Sequence, residues 1–288
     1  MSVEERLRQK KEAVERELER ILSQEDSLLF RAMRYAVLSG GKRYRPLLAL
    51  SSGECFGASQ EMVLPFACGL ELIHNYSLVH DDLPSMDNDD SRRGQPSCHK
   101  AFGEDIALLT GDSLLTLAFE VMSQASLDGD PLERKGWVIK EISHFAGVKG
   151  MIGGQMMDVT LSPEELTEEV FHDLILKKTG ALITVSVKTG AILGGAGNSE
   201  LEAIVQYGRN IGLAFQIRDD ILDSADEEEK RDVSRPNYAS LFGLETAKNR
   251  LNNFIDSALS TLEKASLVSE ELRYLASLLL NLEHRKGQ

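Results

Sequence analysis

The chain has 288 residues, long enough to bury a sizeable core, and its 42% hydrophobic and 27% charged content is ordinary for a soluble globular protein. Its net charge of -14 argues against a nucleic-acid surface, since no basic stripe offsets the acidic excess. The three cysteines are odd in number and lack metal-site spacing, which predicts reduced thiols. The N-terminal sequence MSVEERLRQKKEAVERELER lacks the apolar core of a secretory signal. We therefore expect a cytoplasmic protein.

Helical periodicity dominates the chain, with apolar stripes over residues 7–21, 251–262 and 272–282. The run 106–122 is apolar on most sides, which predicts a helix buried in the middle of a bundle. Because Asp112 interrupts it and it is short for a bilayer, we expect no membrane anchor. Strand signals are weak. We predict one all-α domain over residues 1–288, with roughly ten or more helices.

Two aspartate-rich clusters carry the chemistry. They contain Asp81, Asp82 and Asp87 in HDDLPSMDNDD, and Asp219, Asp220 and Asp223 in QIRDDILD. Five acids lie between residues 81 and 90 and seven between 219 and 229, a concentration that solvated helix faces do not explain. Each cluster follows an apolar run, so each can lie at a helix end facing a common cavity. Because grouped carboxylates repel unless a cation neutralises them, the clusters predict magnesium completed by water and substrate phosphates.

In the first cluster, His74, Ser77 and Asp81 share one helix face at spacings i, i+3 and i+7. Pro84 should end this helix, because proline cannot donate the helical hydrogen bond. Asp87 then folds back from a loop, so that three carboxylates converge. An exposed acidic turn that caps a neighbouring element is the alternative for this segment alone.

In the second cluster, Gln216, Asp219 and Asp223 line one helical stripe. Like charges at i and i+4 destabilise an isolated helix. This pair directly follows the apolar run IGLAFQI, and facing inward it would be intolerable without a metal ion. The two clusters are therefore interpreted as two halves of one magnesium clamp.

Basic residues accompany the acids. Residues 40–46 read GGKRYRP, a compact loop whose glycines let the backbone approach an anion and whose Lys42, Arg43 and Arg45 can donate to phosphate oxygens. Arg92 and Arg93 stand beside the first cluster. Basic surface turns are the alternative for both. Together with the acidic clusters, these residues predict a metal–diphosphate enzyme.

Six segments between about residues 39 and 243 resemble, in order and spacing, the short-chain trans-prenyl diphosphate synthases: LSGGKRYRP, IHNYSLVHDDLPSMDNDDSRRGQPSCH, GDSLL, GGQMMD, KKTGALI and FQIRDDILD. The resemblance implies a helical bundle of the isoprenoid synthase type around a deep central cavity, usually as a homodimer. It also implies magnesium-dependent head-to-tail condensation of isopentenyl diphosphate with dimethylallyl and geranyl diphosphate, giving farnesyl diphosphate.

The resemblance implies a role for each matching residue. Asp81 and Asp87 would hold two magnesium ions on the allylic diphosphate with Asp82 supporting, and Asp219 would hold a third, backed by Asp220 and Asp223. The allylic diphosphate would be bound by Arg92 and Lys178, and isopentenyl diphosphate by Lys42, Arg45, His74 and Arg93. The oxygens of Thr179 and Gln216 would stabilise the developing carbocation. Charge stabilisation makes diphosphate a good leaving group, the isopentenyl double bond attacks, and the departing diphosphate takes the proton. An apolar cavity protects the cation from water.

Product length is implied by Tyr76 and Ser77, which precede Asp81 by five and four residues. A helix places them roughly 6–8 Å below the metal site, at about 1.5 Å rise per residue. In family members that resemble this chain, a large residue like Tyr76 beside the insertion Pro84-Ser85 goes with a fifteen-carbon product. The alternative is a core tyrosine whose hydroxyl finds a helix partner.

One segment departs from the family pattern. After DDILD the chain reads SADEEEKRDVSRPNYASLFG, which is shortened, with Lys230 and Arg235 as counterparts of the family's loop lysines. Asn237-Tyr238-Ala239 stands where Thr-Tyr-Pro is expected. Arginine can replace lysine as a phosphate ligand, but its fork differs in reach.

Three rival functions stay open. A geranylgeranyl diphosphate synthase would use the same scaffold. A terpene cyclase would use the same metal clamp but would not need the isopentenyl-binding residues. A regulatory partner subunit would be expected to lose metal ligands, whereas both clusters are complete here.

Overall fold

The computed structural model describes residues 1–126, 132–227 and 237–282. These ranges contain fourteen α-helices, two short 3₁₀ turns and one two-stranded antiparallel ribbon, which confirms the all-α prediction. In chain order the helices and strands are α1 Val3–Leu22, α2 Leu28–Leu38, α3 Tyr44–Cys55, α4 Gln60–Asp81, β1 Ser91–Arg92, β2 Gln95–Pro96, α5 Cys98–Phe102, α6 Glu104–Gln124, α7 Leu132–Ala146, α8 Met151–Thr160, α9 Glu168–Lys178, α10 Gly180–Gly194, α11 Asn198–Glu227, α12 Tyr238–Phe242, α13 Leu244–Lys264 and α14 Glu270–Ser277.

The chain forms two compact units. Among the described residues, the first unit comprises Met1–Leu50 and Ser59–Ile139, and the second comprises Ser51–Ala58 and residues 140–282. Lys230 and Arg235 lie outside the described residues. That residues 1–288 form one domain stays a prediction.

In the first unit, α4 packs chiefly against α6, with α1, α2 and α5 around them. The side chain of Ser59 caps the start of α4 by accepting from the Met62 backbone N–H. A Cβ atom at position 111 would lie 2.1 Å from His80 Nε2, so Gly111 lets the two helices approach closely. His80 Nε2 then meets the Leu108 carbonyl oxygen at 3.0 Å. This contact seats the acidic end of α4 against α6.

In the second unit, α11 packs against both α10 and α13. All but two residues of α10 are buried, as expected for a helix that is apolar on all sides. A Cβ atom at Gly212 would lie 2.6 Å from the Cα of Gly180, so the backbones of α10 and α11 nearly touch. This close approach brings Thr179, the N-cap of α10, beside Gln216 on α11.

The interpretation of 106–122 as a buried helix was wrong. Leu108 and Leu109 of α6 are 48% and 52% exposed, because α2, α4 and α5 cover only one side of this helix. By length and composition alone, α4 and α6 are each apolar enough to cross a membrane, with 67% and 33% of their most apolar windows buried. Length therefore does not exclude a span, but core helices pass the same test, so this finding assigns no membrane location.

Candidate active site

The first acidic cluster forms at the end of α4, as predicted. The helix ends at Asp81, and Pro84 follows in the next turn. The backbone N–H of Asp87 donates to the Asp81 carbonyl oxygen at 2.9 Å, so the loop folds back onto the helix end. Asp82 is buried, and its carboxylate accepts from Arg92 Nε at 3.0 Å and also from Arg92 Nη2. Burial raises the pKa of Asp82, and the Arg92 guanidinium opposes that rise.

The carboxylates do not form a complete metal cage by themselves. Among residues 1–126, 132–227 and 237–282, no group of three or more His, Cys, Asp or Glu side chains is arranged to hold a metal ion. Magnesium in phosphate-binding sites takes one or two carboxylates and completes its shell with phosphate and water, so this donor set still fits it. Asp82, already neutralised by Arg92, fits the supporting role better than direct ligation.

Arg92 and Arg93 lie on a short hairpin that the sequence did not predict. Its two-residue turn has φ of 52° at Arg93 and 75° at Gly94, both positive as a type I′ turn requires. Left-handed backbone is unfavourable for arginine, and such strain concentrates at functional sites. The turn directs Arg92 to Asp82, and Arg93 Nη1 to the Asn75 side-chain oxygen at 3.3 Å.

Arg43 does not serve as a surface phosphate donor, contrary to the interpretation of the GGKRYRP loop. It is 2% exposed and donates from Nε to Glu15 at 2.8 Å and from Nη1 to Glu71 at 2.9 Å. Asn75 Nδ2 donates to the Glu71 carbonyl oxygen at 2.8 Å, and Asn75 in turn accepts from Arg93. Arg43, Glu71 and Asn75 therefore form a buried support for Arg93.

The predicted isopentenyl-binding residues share a cationic environment. Lys42 is exposed on the loop, and Arg45 is buried in the first turn of α3. Burial lowers the pKa of His74 well below its ordinary value, and the charges of four arginines push it further down: Arg45, Arg93, Arg43 and Arg92. His74 is therefore neutral near physiological pH, in surroundings that favour an anion.

Tyr76 and Ser77 lie on α4 below the acidic end, as predicted. Tyr76 is 6% exposed, and its ring meets the His80 ring edge-on at 5.8 Å between centroids. Burial, with the Asp81 charge, raises the pKa of Tyr76 to about 12. The Ser77 hydroxyl donates to the His74 carbonyl oxygen at 2.9 Å. The side chain of Tyr76 is therefore buried, and its phenol hydroxyl stays protonated.

The second cluster lies inside α11 rather than at its end. The helix continues through Glu227, because no breaker follows Asp223. Gln216 Nε2 donates to Asp220 Oδ1 at 2.8 Å, so this amide is paired with the carboxylate four residues further along the helix. The backbone N–H of Tyr238 donates to the other oxygen, Asp220 Oδ2, at 2.8 Å.

Charge and burial make Asp220 unusual. Burial raises its pKa to about 6, the carboxylates of Asp223 and Asp158 act in the same direction, and the two hydrogen bonds oppose them. Asp219 accepts from Arg218 Nη1 at 3.1 Å. Burial and the neighbouring carboxylates therefore disfavour the charged form of Asp220, an effect that a bound cation would offset.

Lys178 and Thr179 occupy the junction between α9 and α10. Lys178 Nζ lies 2.6 Å from Asp158 Oδ2 on α8, and the Thr179 hydroxyl donates to Gln216 Oε1 at 2.7 Å. The structure thus joins Thr179, Gln216 and Asp220 into one hydrogen-bonded chain.

Sequence reasoning missed several residues that hold the predicted ones in place: Glu71, Asn75, Asp158, Glu168 and Tyr238. Glu71 and Asn75 were detectable as polar residues inside the apolar run FACGLELIHNY. Asp158 is the single charged residue of GGQMMD. Tyr238 matches the tyrosine of the family's Thr-Tyr-Pro, but its contact with Glu168 had no sequence signal, because the two residues are 70 positions apart and meet only through tertiary packing.

Comparisons with known proteins agree with this fold. Residues 26–235 match the sequence profile of the family described as polyprenyl synthetase. A farnesyl diphosphate synthase of Geobacillus stearothermophilus is 39% identical over 99% of each chain. A geranylgeranyl diphosphate synthase of Cyanophora paradoxa is 38% identical over 88% of this chain and 87% of that one. A crystal structure of an FPP/GFPP synthase from Zymomonas mobilis superposes with a TM-score of 0.86 at 35% identity, covering 97% and 99% of the two chains.

Fold and relatives define an all-α prenyltransferase of the isoprenoid synthase type. The chain belongs to the polyprenyl synthetase family, among its short-chain prenyl synthases, which confirms the resemblance read from its motifs.

Proposed function

We propose that this chain condenses isopentenyl diphosphate head to tail with dimethylallyl and then geranyl diphosphate, and that farnesyl diphosphate is its product. The observation that carries the proposal is the neutral His74 surrounded by arginine charges, beside the acidic end of α4. A chain-elongating synthase needs such a second anion subsite for isopentenyl diphosphate, whereas a terpene cyclase does not. The family implies isoprenoid diphosphate substrates.

We propose that magnesium assists the reaction. Asp81 and Asp87 would hold two ions on the allylic diphosphate and Asp219 a third. Asp82 and Asp220, each bound within the protein, would support them. Bound magnesium would supply positive charge that stabilises the leaving diphosphate.

The protein's own groups act around that departure. Lys178 and Arg92 bind the allylic diphosphate, and each already faces a carboxylate with which the phosphate oxygens would share its donors. The allylic C–O bond breaks, the isopentenyl double bond forms the new C–C bond, and the proton leaves with the diphosphate. The hydroxyl of Thr179 and the amide oxygen of Gln216 lie together, which supports their role in stabilising the carbocation.

Incubation of the purified protein with magnesium, isopentenyl diphosphate and either dimethylallyl or geranyl diphosphate tests the proposal. Chromatography should show a fifteen-carbon diphosphate from both starters. A mainly twenty-carbon product would support the geranylgeranyl alternative, and a hydrocarbon formed without isopentenyl diphosphate would support a cyclase. Elongation with neither starter, beside an active control synthase, would contradict the proposal and favour a regulatory subunit.

Tyr76 supports the fifteen-carbon proposal, because its buried ring lies on α4 below Asp81, where it would obstruct a growing chain. Replacing it by alanine removes that floor, so Tyr76→Ala should shift the product toward twenty carbons. Tyr35→Phe is a matched control in the same unit, since it removes only a hydroxyl that donates to the Pro96 carbonyl oxygen at 2.7 Å. An unchanged product distribution in Tyr76→Ala would contradict the hypothesis that the Tyr76 ring limits product length.

We also propose a homodimer. Within the first unit, Leu108, Leu109 and Trp137 are 48%, 52% and 39% exposed, and large exposed apolar side chains favour association. Sedimentation of the protein at micromolar concentration should give twice the mass of 31.9 kDa. Leu108→Glu with Leu109→Glu should reduce it to the monomer mass, and a monomeric wild type would contradict the proposal.

A further inference from the structure

We infer that Tyr238 is a positioning residue for Gln216, acting through Asp220. We name Tyr238 with Glu168, His172 and Arg250 the Tyr238 anchor. Its effect on turnover rests on the proposed function, whereas its effect on local structure does not.

The anchor fixes the hydroxyl of Tyr238 at a junction of three helices. Tyr238 opens α12 and is fully buried. Its hydroxyl donates to Glu168 Oε1 of α9 at 2.6 Å, and Arg250 Nε of α13 donates to the same oxygen at 2.7 Å. A hydrogen bond to a carboxylate is stronger than one between neutral groups, so this junction resists displacement of the hydroxyl end of the side chain.

Aromatic packing fixes the ring itself. The ring stacks on His172 with 5.7 Å between centroids and planes 3° apart, and it contacts Phe242 at 4.8 Å. His172 Nε2 is buried without a hydrogen-bond partner among the described residues and lies 3.9 Å from Glu168 Oε1, so stacking on Tyr238 adds to that electrostatic contact. With hydroxyl and ring both held, the backbone of Tyr238 has little freedom.

The backbone of Tyr238 transmits this fixed position to the second acidic cluster. Its N–H donates to Asp220 Oδ2 at 2.8 Å, and Gln216 Nε2 donates to Asp220 Oδ1 at 2.8 Å. Asn237 strengthens the join, because its side-chain oxygen caps α12 and accepts from the Ser224 hydroxyl of α11 at 3.2 Å. The two oxygens of Asp220 are therefore each engaged by a different element.

The chemistry of these groups sets the orientation of the Gln216 amide. An ionised carboxylate only accepts hydrogen bonds, so the NH₂ side of Gln216 must face Asp220. Its carbonyl oxygen is then turned to the Thr179 hydroxyl, which donates to it at 2.7 Å. If Asp220 turned away, the amide could flip and present N–H donors where an oxygen is required for a developing carbocation. The anchor thus selects the productive face of the amide.

A pair of hydroxyl deletions separates positioning from plain stabilisation. Tyr238 and Tyr207 are both fully buried tyrosines of the second unit, and the Tyr207 hydroxyl donates to the Leu272 carbonyl oxygen at 2.7 Å. Both Tyr238→Phe and Tyr207→Phe should lower Tm, Tyr238→Phe by more because its hydroxyl donates to a carboxylate. Only Tyr238→Phe should lower kcat, by about fivefold to tenfold, with KM for both diphosphates unchanged. Equal kcat in the two variants would overturn the inference.

A double-mutant cycle tests whether the effect passes through Gln216. If it does, adding Tyr238→Phe to a Gln216→Leu background should change kcat less than about twofold, because the amide to be oriented is absent. The same fivefold to tenfold loss in both backgrounds would show that Tyr238 acts by another route and would contradict the inference.

Hydrogen–deuterium exchange of the unliganded protein tests the anchor without any activity. Tyr238→Phe should speed exchange of the backbone amides in residues 216–224 and 237–242, and Tyr207→Phe should not. Absence of product from the wild type with the exchange difference present would remove the proposed function and keep the anchor. Wild-type activity with no exchange difference would keep the function and remove the anchor.

Discussion

Asp82 and Asp220 are the middle carboxylates of the two acidic clusters, and both are buried, yet their partners differ. Asp82 is paired with the guanidinium of Arg92, whereas Asp220 accepts from an amide and from a backbone N–H, both neutral donors. Burial raises the pKa of both, and that of Asp220 reaches about 6. Similar acidic motifs therefore do not imply the same partners: the middle carboxylate of the first cluster is paired with a cation, and that of the second cluster with two neutral donors.

The largest expected effect on turnover comes from removing one outer carboxylate from each cluster. Asp81→Ala and Asp219→Ala should each lower kcat by at least about 10³-fold, because each deletes charge stabilisation of the leaving group. Initial rates at saturating magnesium measure this, with circular dichroism to show that the helices persist. Asp256→Ala is the control, since Asp256 is exposed on α13. A wild-type rate in either cluster variant would refute the magnesium clamp.

The next test compares the partners of the two middle carboxylates. Arg92→Leu leaves Asp82 buried without its cation and should reduce the free energy of unfolding by about 3 kcal/mol, near the low end for buried pairs because Arg92 is 36% exposed. Gln216→Leu removes one hydrogen bond to Asp220 and should cost about 1.5 kcal/mol. Urea unfolding at pH 7 measures both.

A second variant shows whether the cost lies in the stranded charge. Arg92→Leu combined with Asp82→Leu should recover most of the stability lost in Arg92→Leu, because neither partner is then left buried alone. Equal losses in Arg92→Leu and Gln216→Leu would mean that the two clusters are balanced alike.

A smaller effect on substrate binding is expected when Asn75, which supports Arg93, is replaced. Asn75→Ala removes the oxygen that accepts from Arg93 and the amide that donates to the Glu71 carbonyl. The KM for isopentenyl diphosphate should rise about fivefold, which corresponds to about 1 kcal/mol. The KM for geranyl diphosphate serves as the internal control and should stay constant. A parallel rise in both would indicate general loosening of the first unit instead.

The smallest effect concerns pH. Because the folded pKa of His74 lies well below 6.5, the imidazole stays neutral as pH falls from 8 to 6, while an unfolded histidine gains its proton near 6.5. His74→Gln, which is neutral throughout, should therefore show a constant ratio of kcat/KM to wild type over that range. Stability should also decline less in the variant below pH 6.5, since the unfolded wild type alone takes up that proton. A ratio that bends near pH 6.5 would show that His74 titrates in the folded protein.

Local patterns predicted the parts of the site that local rules determine. Helical periodicity and Pro84 predicted where α4 ends and that Asp87 folds back, because proline cannot donate the helical hydrogen bond, although Pro65 is accommodated earlier in the same helix. The hairpin around Arg93 was not predicted, since strands of two residues are too short to show a periodic pattern. The burial of Arg43 was not predicted either, because residue type alone does not determine whether a charged side chain points inward or outward.

The remaining misses arise from packing between distant segments. The partner of Gln216 could not be chosen among three nearby carboxylates until the backbone of Tyr238 was seen to occupy the other side of Asp220. The exposure of Leu108 and Leu109 likewise depends on which helices cover α6.

The tight turn between β1 and β2 has a consequence for how the enzyme could change over time. Under the proposed roles, Arg92 serves one substrate and Arg93 the other, and a single peptide unit separates them. Consecutive Cα atoms are held about 3.8 Å apart, so covalent geometry fixes where the two side chains start, and their contacts with Asp82 and Asn75 set where the guanidinium groups lie. Pockets for longer or shorter hydrocarbon tails can diverge by substitution elsewhere. A one-residue insertion between Arg92 and Arg93 would shift the two arginines relative to each other, and with them the two diphosphates. We therefore expect the length of this turn to change less than the sequence around it.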